Sequence, residues 1–380
     1  MLKRTLLLSV LIVCAAALVT PAMAQDDNPV VSVPVIRKTG DVKALEKRVK
    51  NLEAIIIHRQ ENPNWYDRIK ISGLLEVQAG YGKTDFEDPL IDDETSSDVN
   101  LTNIELVLDA DIANSQIAQT NGHLMVKYSD DDLFIDEGYI AITGNRFPFY
   151  FIAGRQYVPF GNFDSHFISD PQTLVLGETS GGAAVAGFRP GDSDLLDISV
   201  GVFNGKAREV DDDNTINSLV ASVKTTPVAD LSMGISYTSN IASANAINDS
   251  QEPGGDLILD SLVAGWSAFV SYNFLDRFHL IGEFVGAMDD FKPDELPMLG
   301  TKPSGWNIEL SVSITDSTEF ATRYGGSDDG GELLPESEYG AIVNWTLFDN
   351  TNLGLEYIHG KFEDDLKKTD SYIAHLSIEF

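Results

Sequence analysis

The chain is poor in cysteine, in basic residues and, after residue 24, in long apolar runs. Its one cysteine, Cys14, lies in an apolar stretch near the start and is preceded by Val13, not by the small residue of a lipoprotein signal. Without that stretch the chain has no thiol, which excludes a disulfide framework, cysteine catalysis and thiolate metal sites. Lys and Arg number 26 against 59 Asp and Glu, for a formal net charge of −33. Neutralising phosphates takes clustered bases, so no nucleic acid is expected as a partner. Strong acidity can mean disorder, but 43% of the residues are hydrophobic and they are spread along the chain, which argues for folding.

Catalytic signatures are missing as well. There is no Gly-x-Ser-x-Gly elbow, no His-Glu-x-x-His zinc pattern and no phosphate loop, so no enzyme, cofactor or dedicated metal site is expected. His166 stands near Asp164 and Ser165, but neighbours in sequence do not make a triad in space. The densest acidic run, Asp211-Asp212-Asp213, lacks the glycine and distal glutamate of a calcium loop. Solvated acidic loops of this kind would bridge to lipopolysaccharide through divalent cations, repel anions and gather cationic solutes.

What is present begins with a leader. Residues 1–24 carry Lys3 and Arg4, an apolar stretch from Leu6 to Val19 and the ending Ala22-Met23-Ala24, the pattern of a cleavable secretory signal. No later segment has enough consecutive apolar residues for a transmembrane helix, so a membrane form of the remainder has to be a closed barrel. Residues 25–40 read as a flexible lead. Over 41–62, Val42, Leu45, Val49, Leu52 and Ile56 follow a 3-4-3-4 rhythm that predicts a short coiled-coil helix. So few heptads do not stand alone. The stripe asks for copies of itself, which makes a homotrimer the expected assembly; the alternative is one amphipathic helix docked on a barrel rim. Pro63 ends the helix, and Trp65 and Tyr66 follow as an aromatic pair suited to a membrane interface.

Residues 65–380 carry alternating apolar and polar segments about every 20 residues, the spacing of transmembrane strands. In the first, Ile71, Leu75, Val77 and Tyr81 share one face, while Ser72, Glu76 and Gln78 share the other. Acids repeated on the polar face suit a watered lumen better than a soluble sandwich. Short turns near 112–115, 143–147, 190–193, 227–230, 275–276, 315–318 and 348–351 alternate with polar loops at 82–98, 129–132, 158–181, 205–214, 241–260, 288–303, 326–336 and 361–370. Together they predict a sixteen-stranded antiparallel β-barrel with both termini on the turn side, which is periplasmic in such proteins. If Thr173 to Glu178 were a further strand, the count would be eighteen. The last segment, Ser371 to Phe380, alternates to its terminal aromatic residue; it is the expected closing strand, paired with Ile69 to Tyr81, and an ending of the kind the barrel-assembly machinery reads.

The third long loop, 158–181, is more aromatic and less acidic than the others, which suits folding inward to narrow the channel. Bases inside strands stand out against the acidic background. Lys127, Arg155, Arg189 and Arg323, with Asp164 and Glu178 on the third loop, are the candidate constriction that orders small polar solutes. The alternative is that each base is an ordinary lumen residue paired with a neighbouring acid. Arg155 is the leading candidate for its position beside the loop, although its strand, PFYFIAGRQY, is apolar on both faces.

The stretch GRQYVPFGNFDSHFISDPQTLVLGET at 154–179, with WYDRIKISGLLEVQAGY at 65–81 and DEGYIAI at 136–142, closely resembles the LbtU-type siderophore porins of the outer membrane. The resemblance covers the coil and the barrel. It implies a sixteen-stranded barrel that admits a ferric siderophore without the plug and energy-coupling box of TonB-dependent receptors. The length agrees, because a plugged barrel of about 22 strands needs a longer chain. A general diffusion porin, or a structural or adhesive barrel closed by its third loop, fits the same pattern of strands.

Overall fold

The computed structural model describes residues 48–51 and 65–380, apart from 89, 130–131, 192–194, 252–254, 256 and 364–365. The expected signal 1–24, the lead 25–40 and the coil positions Val42, Leu45, Leu52 and Ile56 lie outside the described residues. Val49 is exposed in a helical turn, 48–51, that belongs to a separate unit of the chain.

After Trp65–Arg68, a short 3-10 turn, the described residues form eighteen strands. They are β1 (Ile69–Phe86), β2 (Glu94–Asn114), β3 (Ala118–Ser129), β4 (Asp132–Gly144), β5 (Phe149–Tyr157), β6 (Ser180–Phe188), β7 (Leu196–Phe203), β8 (Ala207–Glu209) and β9 (Ser218–Val228). The series continues with β10 (Leu231–Thr238), β11 (Leu257–Leu259), β12 (Gly265–Phe274), β13 (Phe278–Ala287), β14 (Ser304–Thr315), β15 (Thr318–Asp328), β16 (Ser337–Phe348), β17 (Thr351–Lys361) and β18 (Lys367–Glu379). Sixteen of them close an antiparallel barrel in chain order, while β8 and β11 pair with each other in parallel. Among the described residues, the short helices α1 (Gln172–Gly177) and α2 (Asn245–Gln251) lie in the connections. Since 172–177 is helical, the count is sixteen and not eighteen.

Alternation along each strand sends one set of side chains outward. Ile71, Ile140, Phe151, Val200, Ile235 and Ile308 are all exposed on that face. Such a surface is a liability in water and a requirement in hydrocarbon. Aromatic residues mark both edges of it: Tyr81, Tyr324, Tyr339 and Tyr372 towards the long connections, and Phe147, Phe149, Phe348 and Phe380 towards the short ones. The turn between β12 and β13 holds Leu275 at φ 54° and Asp276 at φ 56°, the left-handed values of a type I′ turn, and Phe274 and Phe278 stack across it at 5.3 Å.

Closure occurs where the terminal segment led us to expect it. β18 pairs with β1 from Phe86↔Lys367 to Leu74↔Glu379, and Gly73 and Phe380 then exchange two backbone hydrogen bonds of 3.0 Å. Gly73 is needed there, because a Cβ would come within 2.5 Å of the Phe380 ring that lies over it.

Two expected loops are different in the structure. Most of 82–98 is strand: β1 runs to Phe86, β2 starts at Glu94, and Thr84 pairs with Glu94. Acidity was a poor guide there, because beyond the membrane water solvates both faces of a hairpin while the ladder still pairs its backbone. Lys368 crosses to Glu87 at 2.6 Å and strengthens this extension. Residues 241–260 are not simply a polar loop either. Ile241, Ala242, Ala244 and Ile247 are fully buried, in one cluster with Val158, Phe160, Leu176, Phe203, Val220 and Val285. This apolar core occupies one side of the barrel mouth, on the inner faces of β6, β7, β9 and β13.

Candidate channel constriction

The segment between β5 and β6 leaves the wall at Val158 and is held from across the barrel by three carboxylates on three strands. Glu283 of β13 accepts the backbone N–H groups of Asn162 and Phe163 at 2.7 and 2.9 Å. Glu309 of β14 accepts the N–H of His166 at 2.7 Å and the hydroxyl of Ser165 at 2.8 Å. Glu356 of β17 accepts the N–H groups of Ile168 and Ser169 at 2.6 and 3.2 Å, together with the Ser169 hydroxyl. Ser236 and Asn344 add contacts to the Gly161 N–H and the His166 carbonyl. A loop inside a barrel has few strand partners for its own backbone, and buried N–H groups have to be satisfied. The wall glutamates meet that need with charge-assisted bonds of about 1.5–3 kcal/mol each.

This tether holds a strained conformation. Phe163 sits at φ 59°, a region that bulky residues avoid, and Gly161 at φ 74° lies directly under its ring. Both flank the bonds to Glu283. Further along, His166 meets Glu319 through Nδ1 at 2.8 Å and His279 through Nε2 at 2.9 Å, and His279 reaches Ser271 at 2.8 Å.

Arg323 of β15 locks the same region. Its side chain and that of Glu309 are fully buried; Nε meets Glu309 at 3.0 Å, while Nη2 donates to the Ser165 hydroxyl at 2.7 Å and the Ser169 carbonyl at 2.8 Å. The guanidinium also lies over the Phe167 ring at 4.3 Å. Its charge is spent inside the joint between loop and wall, so it does not face a passing solute.

The opposite inner wall is built of polar side chains in a row. His375 Nε2 meets Glu76 at 3.1 Å, Asn103 donates to Glu76 and to Glu105 at 2.9 Å, and Lys127 lies 3.4 Å from Glu105. The row crosses β18, β1, β2 and β3. Below it, His123 stands between Asp109 at 2.7 Å and Glu137 at 3.3 Å. On the loop side, Asp164 is exposed, and Glu178 and Asp170 both feel the Lys127 charge. Burial among the surrounding walls raises the Glu178 carboxyl to about 7; nearby Asp170 pushes it further up, against the pull of Lys127. Asp170 reaches water, but the walls around it hold its carboxyl above the ordinary range, chiefly by desolvation.

The six candidate residues therefore separate. Lys127, Asp164 and Glu178 border the polar interior, while Arg323 is buried in the tether. Arg189, at the short-turn end of β6, pairs with Asp197 at 2.5 Å and lies over Tyr150 at 5.3 Å. Arg155 is on the outer face. It shares its side of β5 with Phe149 and Phe151, sits opposite the exposed Gly182 and donates through Nε to the Asp136 carbonyl at 3.0 Å. The sequence reading missed Glu283, Glu309 and Glu356. Their signal was present, since each is an acid between apolar neighbours in a transmembrane strand, but it did not show what they would meet.

No family model matches the chain. A UPF0422 protein of Coxiella burnetii (strain RSA 493 / Nine Mile phase I) is 25% identical over 362 residues, covering 90% of this chain and 73% of that protein. A UPF0422 protein of Legionella pneumophila (strain Lens) is 25% identical over 356 residues, covering 84% of this chain, which spans 64% of the Legionella protein's length. Among solved structures, the outer membrane channel DcaP of Acinetobacter baumannii superposes with a TM-score of 0.57 at 15% identity, over 82% of this chain and 97% of the other. The anion-selective porin of Comamonas acidovorans gives 0.59 at 12% identity, over 82% and 99%. The fold is that of a porin. With its outward apolar belt and two aromatic edges, this porin-like barrel is a protein of the bacterial outer membrane.

Proposed function

We propose that the chain is an outer-membrane channel whose fixed third loop leaves an acid-dominated passage, selecting cations and neutral polar solutes over anions. The supporting observation is the division of charge inside the barrel. Asp164, Asp170 and Glu178 on the loop, with Glu76 and Glu105 on the wall, border the interior against Lys127, while Arg323 and Arg189 are taken up in ion pairs. A lumen lined by acids concentrates cations and repels anions. The selectivity of the Comamonas porin is thus not expected here. The proposed homotrimer would assemble through the coil at 41–62, and crosslinking the intact and coil-deleted proteins tests this.

Uptake of a ferric siderophore is a finer reading that rests on the sequence resemblance. An acid-lined passage would admit neutral or cationic chelates before anionic ones. Planar-bilayer recording in a KCl gradient tests the channel: discrete steps with a cation-selective reversal potential are expected. Anion selectivity would overturn the charge argument, and no conductance step at all would leave a closed structural barrel. Growth rescue by one ferric siderophore, lost on deletion, would support the finer reading, whereas liposome swelling with unrelated sugars would favour general diffusion.

A further inference from the structure

The side chain of His166 is joined to the wall by a relay that fastening the loop does not require, because Glu309 and Asn344 already hold the His166 backbone. Ser271 of β12 lies 2.8 Å from His279 Nε2, His279 Nδ1 lies 2.9 Å from His166 Nε2, and His166 Nδ1 lies 2.8 Å from Glu319. The far end is anchored as well, since Ser311 donates to the second Glu319 oxygen at 3.2 Å. The stacked rings of Tyr272, Phe274 and Phe278 occupy the neighbouring outward positions, so Ser271 and His279 face the lumen, where both are half-buried. They flank the short turn at 275–276, and Glu319 follows the one at 315–318. The relay therefore lies at the short-turn end of the lumen. Its members come from three strands and a loop, so no sequence motif could announce it.

Hydrogen-bond chemistry gives the relay one direction. An ionised Glu319 can only accept, so His166 carries its proton on Nδ1 and presents the lone pair of Nε2. That lone pair takes the Nδ1 proton of His279, which leaves His279 Nε2 to accept the Ser271 hydroxyl. Hydroxyl, imidazole and orienting group in that order activate a nucleophile. We propose that Ser271 is the nucleophile of a hydrolytic site for small carboxylic esters that enter the lumen. Ser271 Oγ bonds to the carbonyl carbon as His279 Nε2 takes its proton; the bond to the alcohol oxygen then breaks, and the alcohol leaves with that proton. A lumen water, deprotonated by the same nitrogen, adds to the acyl carbon. As the carboxylic acid departs, Ser271 recovers its proton from His279. His166 and Glu319 are positioning residues that keep His279 in the accepting tautomer. Asn273, exposed on the same inward face and opposite His279 in the β12–β13 register, is placed to donate to the oxyanion.

The full-length protein in detergent, treated with a fluorophosphonate probe and separately with p-nitrophenyl acetate, tests the site. We expect peptide mass spectrometry to find the phosphonyl group on Ser271, and ester hydrolysis to exceed the background of the Ser271→Ala protein. His279→Gln should lower both rates about a hundredfold. Glu319→Gln, which touches neither ester nor nucleophile, should lower kcat for the ester and leave KM unchanged. Wild-type labelling no greater than that of Ser271→Ala, or labelling confined to other serines, would overturn the proposal. So would equal rates in the wild type and His279→Gln, which would leave the relay as a support for the loop. Heat-modifiable migration in gels confirms that each variant folds. Ester turnover and bilayer conductance are read separately, so a failure here leaves the channel reading untouched.

Discussion

The inner face of this barrel is two surfaces built from one alphabet. On β13, β14 and β17, the inward glutamates Glu283, Glu309 and Glu356 are covered by a peptide segment whose N–H groups they accept. On β18, β1, β2 and β3, the inward residues His375, Glu76, Asn103, Glu105 and Lys127 pair with one another instead. The alternation of outward and inward positions is the same on both sides. What differs is the surface each side meets. An inward carboxylate is a fastener where backbone donors reach it and, on the proposed reading, a selectivity element where they do not.

The comparison breaks most readily at Arg323. Replacing it with methionine keeps the volume and leaves Glu309 buried without its counter-ion, and removing one partner of a buried pair costs about 3–5 kcal/mol. The variant should show a lower midpoint for heat-modifiable migration in gels and faster proteolysis within 158–179. If the midpoint is unchanged, Arg323 is not part of the fastening. Removing a single fastener should be milder. Glu356→Ala loses the bonds to Ile168 and Ser169 but leaves no buried charge without its counter-ion, so single-channel recordings should become noisier as the loop fluctuates. Glu356→Gln retains an acceptor and should lie between the two.

The open side should respond the other way round. Lys127→Ala removes a base paired with Glu105 in a watered row, and pairs of that kind contribute about 0–1 kcal/mol. Thermal stability should hardly move, while the reversal potential shifts towards stronger cation selectivity. A large stability loss with unchanged selectivity would mean that the two surfaces are not distinct.

Much of the frame was legible because it follows from local rules. Periodicity, alternating connection lengths and the aromatic ending led to sixteen strands and to closure at β1. The misreadings have a common cause: composition states what a residue is and not what it faces. Strand β5 is apolar on both sides, so nothing in PFYFIAGRQY said that Arg155 would share the outer face with Phe151. The run at 241–260 looked polar because Asn245 and the stretch from Asn248 to Glu252 outweighed Ile241 and Ile247, which are the residues that reach the core. The fasteners were beyond reach because they depend on contacts separated by more than a hundred positions. Glu283 and Asn162 are 121 apart in the chain.

The smallest expected effect lies where the two surfaces approach each other. Glu178 stands at the end of the third loop, and burial places its carboxyl at about 7, far above the ordinary carboxylate range. Below that value the group is neutral and the passage has one charge fewer; above it the group ionises beside Asp170. Cation preference should therefore rise as pH is taken from 6 to 8, with a step near 7 that Glu178→Gln removes. Stability should move in the opposite sense. A carboxyl whose folded value is raised favours the folded state fully below its unfolded value, and that contribution is lost as pH climbs through 7. The wild-type thermal midpoint should accordingly fall slightly over the interval in which selectivity increases, and the glutamine variant should show neither change. A selectivity step that survives in Glu178→Gln would assign the titration to another group, with Asp170, also raised by its surroundings, the next to replace.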